Sequence, residues 1–177
     1  MKRFFISLLL AAVAISAFAL TEADQIAPRA DRIMAYNDGD FDRAELIRIA
    51  IENQKNSYAP YSGYNVSAAV LTDSGNVYTG VNVENASFPA GVCAERNAIC
   101  HAVNCGERVI VAIAIIGGPN YQILDYCAPC GVCRQTMREF CSPGDMRVIF
   151  AKSVSDYKEM SLEELLPESF GPEALQP

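Results

Sequence analysis

The sequence is short of histidine and of clustered positive charge. It has a single histidine, His101, no run of basic residues beyond Lys2-Arg3, and a net charge of −7. Proteins that bind phosphate backbones usually carry a basic face, so no nucleic-acid partner is expected. His101 lies two turns inside a predicted helix, where a solvated or capping side chain is a commoner role than metal ligation.

Cysteine, by contrast, is abundant but confined to one part of the chain. All seven cysteines lie between residues 93 and 141, and the odd number leaves one without a partner in any disulfide scheme. The clustering therefore favours a metal site over a disulfide framework. The cysteines outside the motifs described below are expected to be small buried apolar residues; they are Cys100, Cys105, Cys127 and Cys141.

The amino-terminal segment is typical of an export signal. Met1–Ala19 combines the basic start with a long apolar run and ends on the small-x-small pattern Ala17-Phe18-Ala19. This pattern predicts a cleaved leader and a secreted or periplasmic protein, with no stable membrane partner. Two alternatives stay open, namely translation from Met34, which would give a cytoplasmic protein, and an uncleaved leader that serves as a short anchor.

The remaining chain is long enough for one domain and shows no internal repeat. Residues 20–39 are weakly patterned and predict a linker, or a helix over 30–36. Residues 40–172 predict one layered α/β domain, a sheet of roughly five strands covered by helices, and 173–177 a tail. The expected helices are 40–57, 93–104, 130–140 and one that begins at the capping residue Ser161; the expected strands flank a turn at 73–76 and occupy 108–118, 146–151 and 156–161.

Two short motifs carry the chemistry. Cys93 and Glu95 form a C-x-E motif, Cys130 and Cys133 form a C-x-x-C motif, and each motif stands at the start of a predicted helix. Helix starts favour thiolates, and three thiolates without a fourth protein ligand are typical of a catalytic zinc site that keeps one position open. Arg96 and Arg134 closely follow ligand positions and are expected to offset the excess negative charge; both are candidate charge-balancing residues.

Three other interpretations of these cysteines remain. Cys130 and Cys133 alone would suffice for a redox pair, but this leaves the C-x-E motif unexplained. A structural zinc site would need a fourth ligand, for which Cys127 or Cys100 is the candidate. A disulfide-rich secreted binding protein would need paired cysteines.

Several blocks together resemble the zinc-dependent cytidine deaminase family, in particular its small, homotetrameric, three-cysteine nucleoside branch. The blocks are YAPYSGYNVSAAV, GVNVENASFPAGVCAERNAI, APCGVCRQTMREF and LLPESFGP, and they span about 46–172 in the family's order. The resemblance implies a three-layer α-β-α sandwich around a mixed sheet, a Zn²⁺ cofactor, and hydrolytic deamination of cytidine and deoxycytidine. A nucleoside-analogue deaminase of the blasticidin type and a catalytically silent zinc-binding module are the alternative functions.

The resemblance also implies roles for individual residues. Cys93, Cys130 and Cys133 would bind zinc and Glu95 would transfer protons. The expected substrate-binding residues are Asn82 and Glu84 at the ribose hydroxyl, Tyr64 and Ala94 beside the substrate, and Phe170, which would stack on the base in a neighbouring subunit of a homotetramer. The chain departs from the family pattern at Tyr64, where phenylalanine is usual, and at Ser67, where glycine is usual.

Overall fold

The computed structural model describes residues 30–37 and 39–175, so the predicted leader lies outside the described residues. The helices are α1 (Arg43–Asn53), α2 (Ala94–Asn104), α3 (Gly131–Arg138) and the short α4 (Leu162–Leu165). The strands are β1 (Arg32–Ile33), β2 (Tyr36–Asn37), β3 (Asp40–Phe41), β4 (Tyr64–Thr72), β5 (Asn76–Val81), β6 (Ile110–Pro119), β7 (Arg147–Ser153) and β8 (Asp156–Ser161).

Six of these strands form one mixed sheet in the order β1-β5-β4-β6-β7-β8. Only the β6–β7 pair is parallel, and α3 lies on the connection between those two strands. The remaining pairs in this sheet are antiparallel. The predicted mixed α/β sheet is therefore confirmed, with one more strand than expected.

Helices cover both faces of the sheet. On one face, Leu46 and Ile47 of α1 pack with Ile149 of β7. On the other face, Ile99 of α2 and Met137 of α3 pack into a second buried cluster. Central strand β6 contributes buried residues to both clusters, as its continuous apolar run predicts. The predicted three-layer sandwich is confirmed.

The prediction of a helix over 30–36 is wrong. The backbone N–H of Asp31 donates to Val77 O at 2.9 Å, and that of Met34 donates to Gly75 O at 2.8 Å. This segment, which the sequence analysis assigned to a linker, therefore supplies the edge strand β1 and the buried side chain of Met34. Hydrogen bonds to the edge of β5 satisfy the backbone N–H groups of Asp31 and Met34, so these groups do not need a helix to find partners.

Capping side chains set the ends of the observed helices. α1 starts at Arg43 rather than at 40 because the Asp42 side chain accepts a hydrogen bond from Glu45 N at 3.0 Å. The capping box predicted at Ser161 is present, with Glu164 as its partner. Within residues 30–37 and 39–175, no helix has both the length and the apolar character needed to cross a membrane.

A glycine in β5 allows α2 to lie directly on the sheet. A Cβ atom added at Gly80 would come within 2.3 Å of Ala98 N and 2.5 Å of Ala94 O, both backbone atoms of α2. Only a residue without Cβ permits this approach. The contact sets the distance between the sheet and the first turn of α2, which follows Cys93 directly.

Candidate metal centre and active site

Three cysteine sulfurs converge where α2 and α3 begin. The Sγ atoms of Cys93 and Cys130 are 4.0 Å apart, those of Cys130 and Cys133 are 3.5 Å apart, and all three lie within 4.8 Å of one another. Tetrahedral Zn²⁺ with bonds of about 2.3 Å would space its sulfur ligands by about 3.8 Å. The thiol donor set and its spacing therefore fit Zn²⁺.

The helix starts present these sulfurs in a favourable electrostatic setting. Cys93 is the N-cap residue of α2 and Cys130 that of α3, and neither side chain caps its own helix. The unpaired N–H groups of each first turn therefore remain as a partial positive charge beside the sulfurs, which favours thiolate over thiol. This agrees with the expectation drawn from the two motifs.

Arg96 adds a full positive charge next to Cys93. Hydrogen bonding from Cys133, reinforced by Cys130 and by the guanidinium of Arg96, lowers the pKa of Cys93 to about 5 although burial opposes the shift. Arg96 donates to Gly91 O at 3.1 Å, while its Nε is buried without a hydrogen-bond partner among the described residues. A thiolate at Cys93 gives this guanidinium a charge to stabilise.

Glu95 is a buried carboxyl group beside the sulfurs. It lies in the first turn of α2 and is only 4% exposed. Burial raises its pKa, and the negative charge of Cys93 acts in the same direction, whereas its own backbone N–H and the Cys133 thiol oppose the shift. The direction of this shift brings the pKa of the carboxyl group closer to neutrality, which favours general acid–base catalysis.

An open cleft of about 530 Å³ reaches the sulfur cluster at Cys93. Asn82 and Glu84 line this cleft, as expected for residues that contact a ligand. Its aromatic wall is an edge-to-face pair, Tyr61 and Phe88, with ring centroids 6.1 Å apart. The full lining comprises Tyr61, Ser62, Asn82, Val83, Glu84, Asn85, Phe88, Gly91, Val92 and Cys93.

Backbone and hydroxyl donors hold Glu84 in place. One carboxylate oxygen accepts from Tyr61 N at 2.8 Å and Ser62 N at 3.2 Å, and the other accepts from Ser62 Oγ at 2.5 Å. These hydrogen bonds, that from Ser62 first, lower the pKa of Glu84. The side chain is therefore held as an ionised acceptor in the lining of the cleft, and Oε1, which accepts a single hydrogen bond, can accept another from a ligand.

The other predicted substrate residues are more scattered. Ala94 is buried at the first position of α2. Tyr64 is 40% exposed and does not line the cleft; burial and the neighbouring Cys127 raise its pKa. Phe170 is 61% exposed and lines a separate cavity of about 300 Å³ near Gln135. Within this chain, neither aromatic ring reaches the cleft.

The side chains of α3 attach the carboxy-terminal segment. Arg134 donates to Pro129 O at 2.9 Å and to Leu165 O at 2.7 Å. Gln135 Nε2 donates to Phe170 O at 2.9 Å, and Arg138 Nε donates to Ser169 Oγ at 2.9 Å. Because the described contacts of Arg134 are to backbone oxygens, its charge-balancing role stays a prediction.

The cysteines outside the cluster are less buried than expected. Cys100 is exposed, which contradicts the prediction for it, because it lies on the outward face of α2. Cys105, Cys127 and Cys141 are half-buried against the core. No fourth cysteine, histidine or carboxylate joins the three-sulfur cluster in the part of the chain that the structure describes, and all seven cysteines there are free thiols. The structural-zinc and disulfide interpretations are therefore not supported.

The polar residues behind the cleft were not predicted from the sequence. Ser57 and Asn65 are buried, and both belong to the hydrogen-bond system that holds Asn82. Asn65 was identified only as part of a block, residues 58–70, that resembles the family, and Ser57 was given no role. The signal that could have found these residues is the density of small polar groups between a helix and a buried strand, which need partners when buried.

Comparisons with known proteins agree with this geometry. Residues 42–152 match the family model described as the cytidine and deoxycytidylate deaminase zinc-binding region. The chain is 41% identical over 129 residues to a cytidine deaminase of Halalkalibacterium halodurans, which covers 73% of this chain and 94% of that protein. It is 36% identical over 134 residues to a cytidine deaminase of Sporosarcina psychrophila, with 76% and 95% covered.

A solved structure gives the same result. The crystal structure of cytidine deaminase from Burkholderia pseudomallei matches with a TM-score of 0.65 and 39% identity, and the match covers 71% of this chain and 97% of that chain. The family model and the three-thiol cluster together support Zn²⁺ as the cofactor.

Proposed function

We propose, because the chain belongs to the zinc-dependent cytidine and deoxycytidylate deaminase family, that it hydrolyses cytidine and deoxycytidine to uridine and deoxyuridine with release of ammonia. The observation that carries the proposal is the buried carboxyl group of Glu95 beside three converging sulfurs, which an open cleft reaches at Cys93. The comparisons do not favour the analogue deaminase or the silent module.

In this proposal, Cys93, Cys130 and Cys133 hold Zn²⁺, which when bound supplies a Lewis acid that makes water more acidic. Glu95 accepts one proton from the attacking water and donates it to N3 of the ring while the oxygen adds to C4. It then moves the second proton from that oxygen to the amino group. The C4–N bond breaks, ammonia leaves, and a carbonyl group forms at C4.

The substrate is a nucleoside whose sugar contacts the polar end of the cleft. Glu84 presents an ionised acceptor and Asn82 an amide to one ribose or deoxyribose hydroxyl. The net charge of −7 disfavours a substrate with several phosphates. Tyr64 and Ala94 are proposed to lie beside the bound substrate, although the Tyr64 ring does not line the cleft within this chain.

The active assembly is proposed to be a homotetramer. Phe170 is exposed and its carbonyl is held by Gln135, so the ring is available to a second copy of the chain. Closed symmetric assemblies are the usual form of soluble oligomers. Sedimentation of the purified enzyme tests this, and a fully active monomer would contradict it.

Export remains a proposal that depends on Met1–Ala19 alone. The basic start, apolar run and small-x-small pattern support a cleaved leader and a secreted or periplasmic enzyme. Amino-terminal sequencing of the native protein distinguishes the possibilities. A start near Leu20 supports export, whereas a start at Met34 or Ala35 supports a cytoplasmic enzyme.

The enzymatic proposal is tested by an absorbance assay on cytidine, deoxycytidine, cytosine and deoxycytidylate, with bound zinc quantified in each preparation. Glu95→Gln keeps the size of the side chain but cannot transfer protons. We expect full zinc content and a loss of turnover of about 10²–10⁴-fold or more. Turnover near the wild-type rate in this variant would show that Glu95 is not the proton carrier.

A further inference from the structure

A buried chain of hydrogen bonds approaches Asn82 from behind the cleft. Tyr121 N donates to Asn65 Oδ1 at 3.2 Å, Asn65 Nδ2 donates to Ser57 Oγ at 3.0 Å, and Ser57 Oγ lies 2.6 Å from Asn82 Oδ1. Ser57 is 7% exposed and Asn65 is 4% exposed. Buried polar groups of this kind are costly unless every member is paired.

The direction of this chain is determined at both ends. Asn82 Oδ1 accepts from Val66 N at 2.8 Å, and Asn82 Nδ2 donates to Tyr64 O at 2.8 Å. A backbone N–H can only donate and a carbonyl can only accept, so the Asn82 amide has one possible orientation. The Ser57 hydroxyl must therefore donate to Asn82 Oδ1, which leaves its lone pairs to accept from Asn65.

The far end of the chain is anchored in a strained turn. Asn120 and Tyr121 have φ angles of 51° and 63°, a left-handed conformation that is uncommon for residues with a side chain. Asn120 N donates to Gly63 O at 2.8 Å, and the Tyr121 hydroxyl donates to Ser57 O at 3.3 Å. Such strain persists only when the surrounding contacts hold the backbone in place. Here the left-handed conformation directs Tyr121 N towards Asn65 Oδ1.

We infer that Ser57 and Asn65 are positioning residues that lock the Asn82 amide as a donor towards the substrate. Among the described residues, the second Nδ2 hydrogen of Asn82 has no partner, whereas its oxygen is fully used. Glu84 can only accept. The pair therefore suits one sugar hydroxyl, which accepts from Asn82 while it donates to Glu84. The inference rests on the proposed function, in which Asn82 and Glu84 bind the sugar, and adds Ser57 and Asn65 as the residues that fix the Asn82 amide.

The first experiment compares Ser57→Ala with a matched control, Ser67→Ala. Ser67 is also a buried serine, and it bonds Asn53 Nδ2 at 3.2 Å and Gly80 O at 3.4 Å rather than Asn82. We expect Ser57→Ala to raise KM for cytidine about tenfold with kcat and zinc content unchanged. Ser67→Ala should leave KM unchanged, and Ser57→Thr, which retains the hydroxyl, should restore it.

A double-mutant cycle separates positioning from a general structural role. If Ser57 acts through Asn82, then Asn82→Ala with Ser57→Ala should raise KM no more than Asn82→Ala alone. KM effects that multiply in the double variant, or a loss of kcat as large as the rise in KM, would overturn the inference.

Asn65→Asp tests the donor-to-acceptor direction of the hydrogen bonds while the side-chain volume stays almost constant. The new carboxylate would still accept from Tyr121 N but could no longer donate to Ser57, so the Ser57 hydroxyl would turn towards it and away from Asn82. We expect the same rise in KM, and an unchanged KM would contradict the inference even if Ser57→Ala fails to fold. A wild-type enzyme inactive on cytidine would instead overturn the proposed function, so the two failures are distinguishable.

Discussion

Gly80→Ala tests whether the sheet sets the position of the candidate metal centre. The new Cβ would meet backbone atoms of α2 at 2.3 and 2.5 Å, against an ordinary contact distance of 3.4 Å or more. Neither backbone atom can rotate away, so α2 and β5 must separate by about 1 Å, and α2 begins directly after Cys93. Overpacking of this kind costs about 1–3 kcal/mol of the free energy of unfolding, or about 2–12 °C in Tm for a chain of this size.

The same displacement should affect the proposed chemistry more than the stability. A shift of about 1 Å in reacting groups can cost about 10²-fold in rate, so we expect kcat on cytidine to fall by about that factor and zinc to exchange faster. Gly144→Ala is the matched control, since its added Cβ would meet only a side-chain oxygen of Glu163 at 3.4 Å. Thermal unfolding, zinc content and turnover are measured on both variants. A Gly80→Ala enzyme with wild-type Tm and kcat would refute the reasoning.

Three further predictions concern charges. Arg96→Ala should raise the pKa of Cys93, so that acidification releases zinc at a higher pH than in the wild type, as followed with a zinc-binding dye; an unchanged release curve would show that the helix starts suffice. Burial acts to raise the pKa of Glu107, but hydrogen bonds from the β4–β5 hairpin lower it overall. The contribution of ionised Glu107 to the free energy of unfolding is therefore present above the ordinary glutamate pKa and lost as pH falls through the lowered value. Glu107→Gln should therefore be less stable than wild type at neutral pH in urea unfolding, and the difference should shrink on acidification; a constant difference would contradict this. Arg138→Ala should lower the free energy of unfolding by about 1–3 kcal/mol and expose the segment around Phe170 to proteolysis, whereas equal protease resistance would show that Arg138 does not hold it.

The parts of the fold that depend on local sequence could be predicted. The apolar run of β6, the turn between β4 and β5 and the capping box at Ser161 each carry their own signal over a few residues. The three-sulfur cluster was predictable for a similar reason, because each motif lies at a helix start and its residue types restrict the chemistry.

The parts that depend on distant partners could not be predicted. The edge strand β1 exists because β5, more than forty residues later, has free backbone groups. Tyr121 N reaches Asn65 across 56 residues, and Arg138 reaches Ser169 across 31. No local pattern encodes such contacts, since they form only after the sheet has brought the segments together.

The shortness of α3 has a consequence for how the metal and the carboxy-terminal segment affect each other. Eight residues are too few for an isolated helix to be stable in water. α3 is instead restrained at its start, where Cys130 and Cys133 lie, and along its length. There Arg134 holds the end of α4, and Gln135 and Arg138 hold the segment that follows α4. Metal binding at the start of α3 and docking of the carboxy-terminal segment along α3 stabilise the same marginal helix. Each therefore raises the equilibrium constant of the other by the same factor. Metal loading and docking of the segment that carries Phe170 are therefore expected to be cooperative, and a chain that loses one should hold the other less tightly.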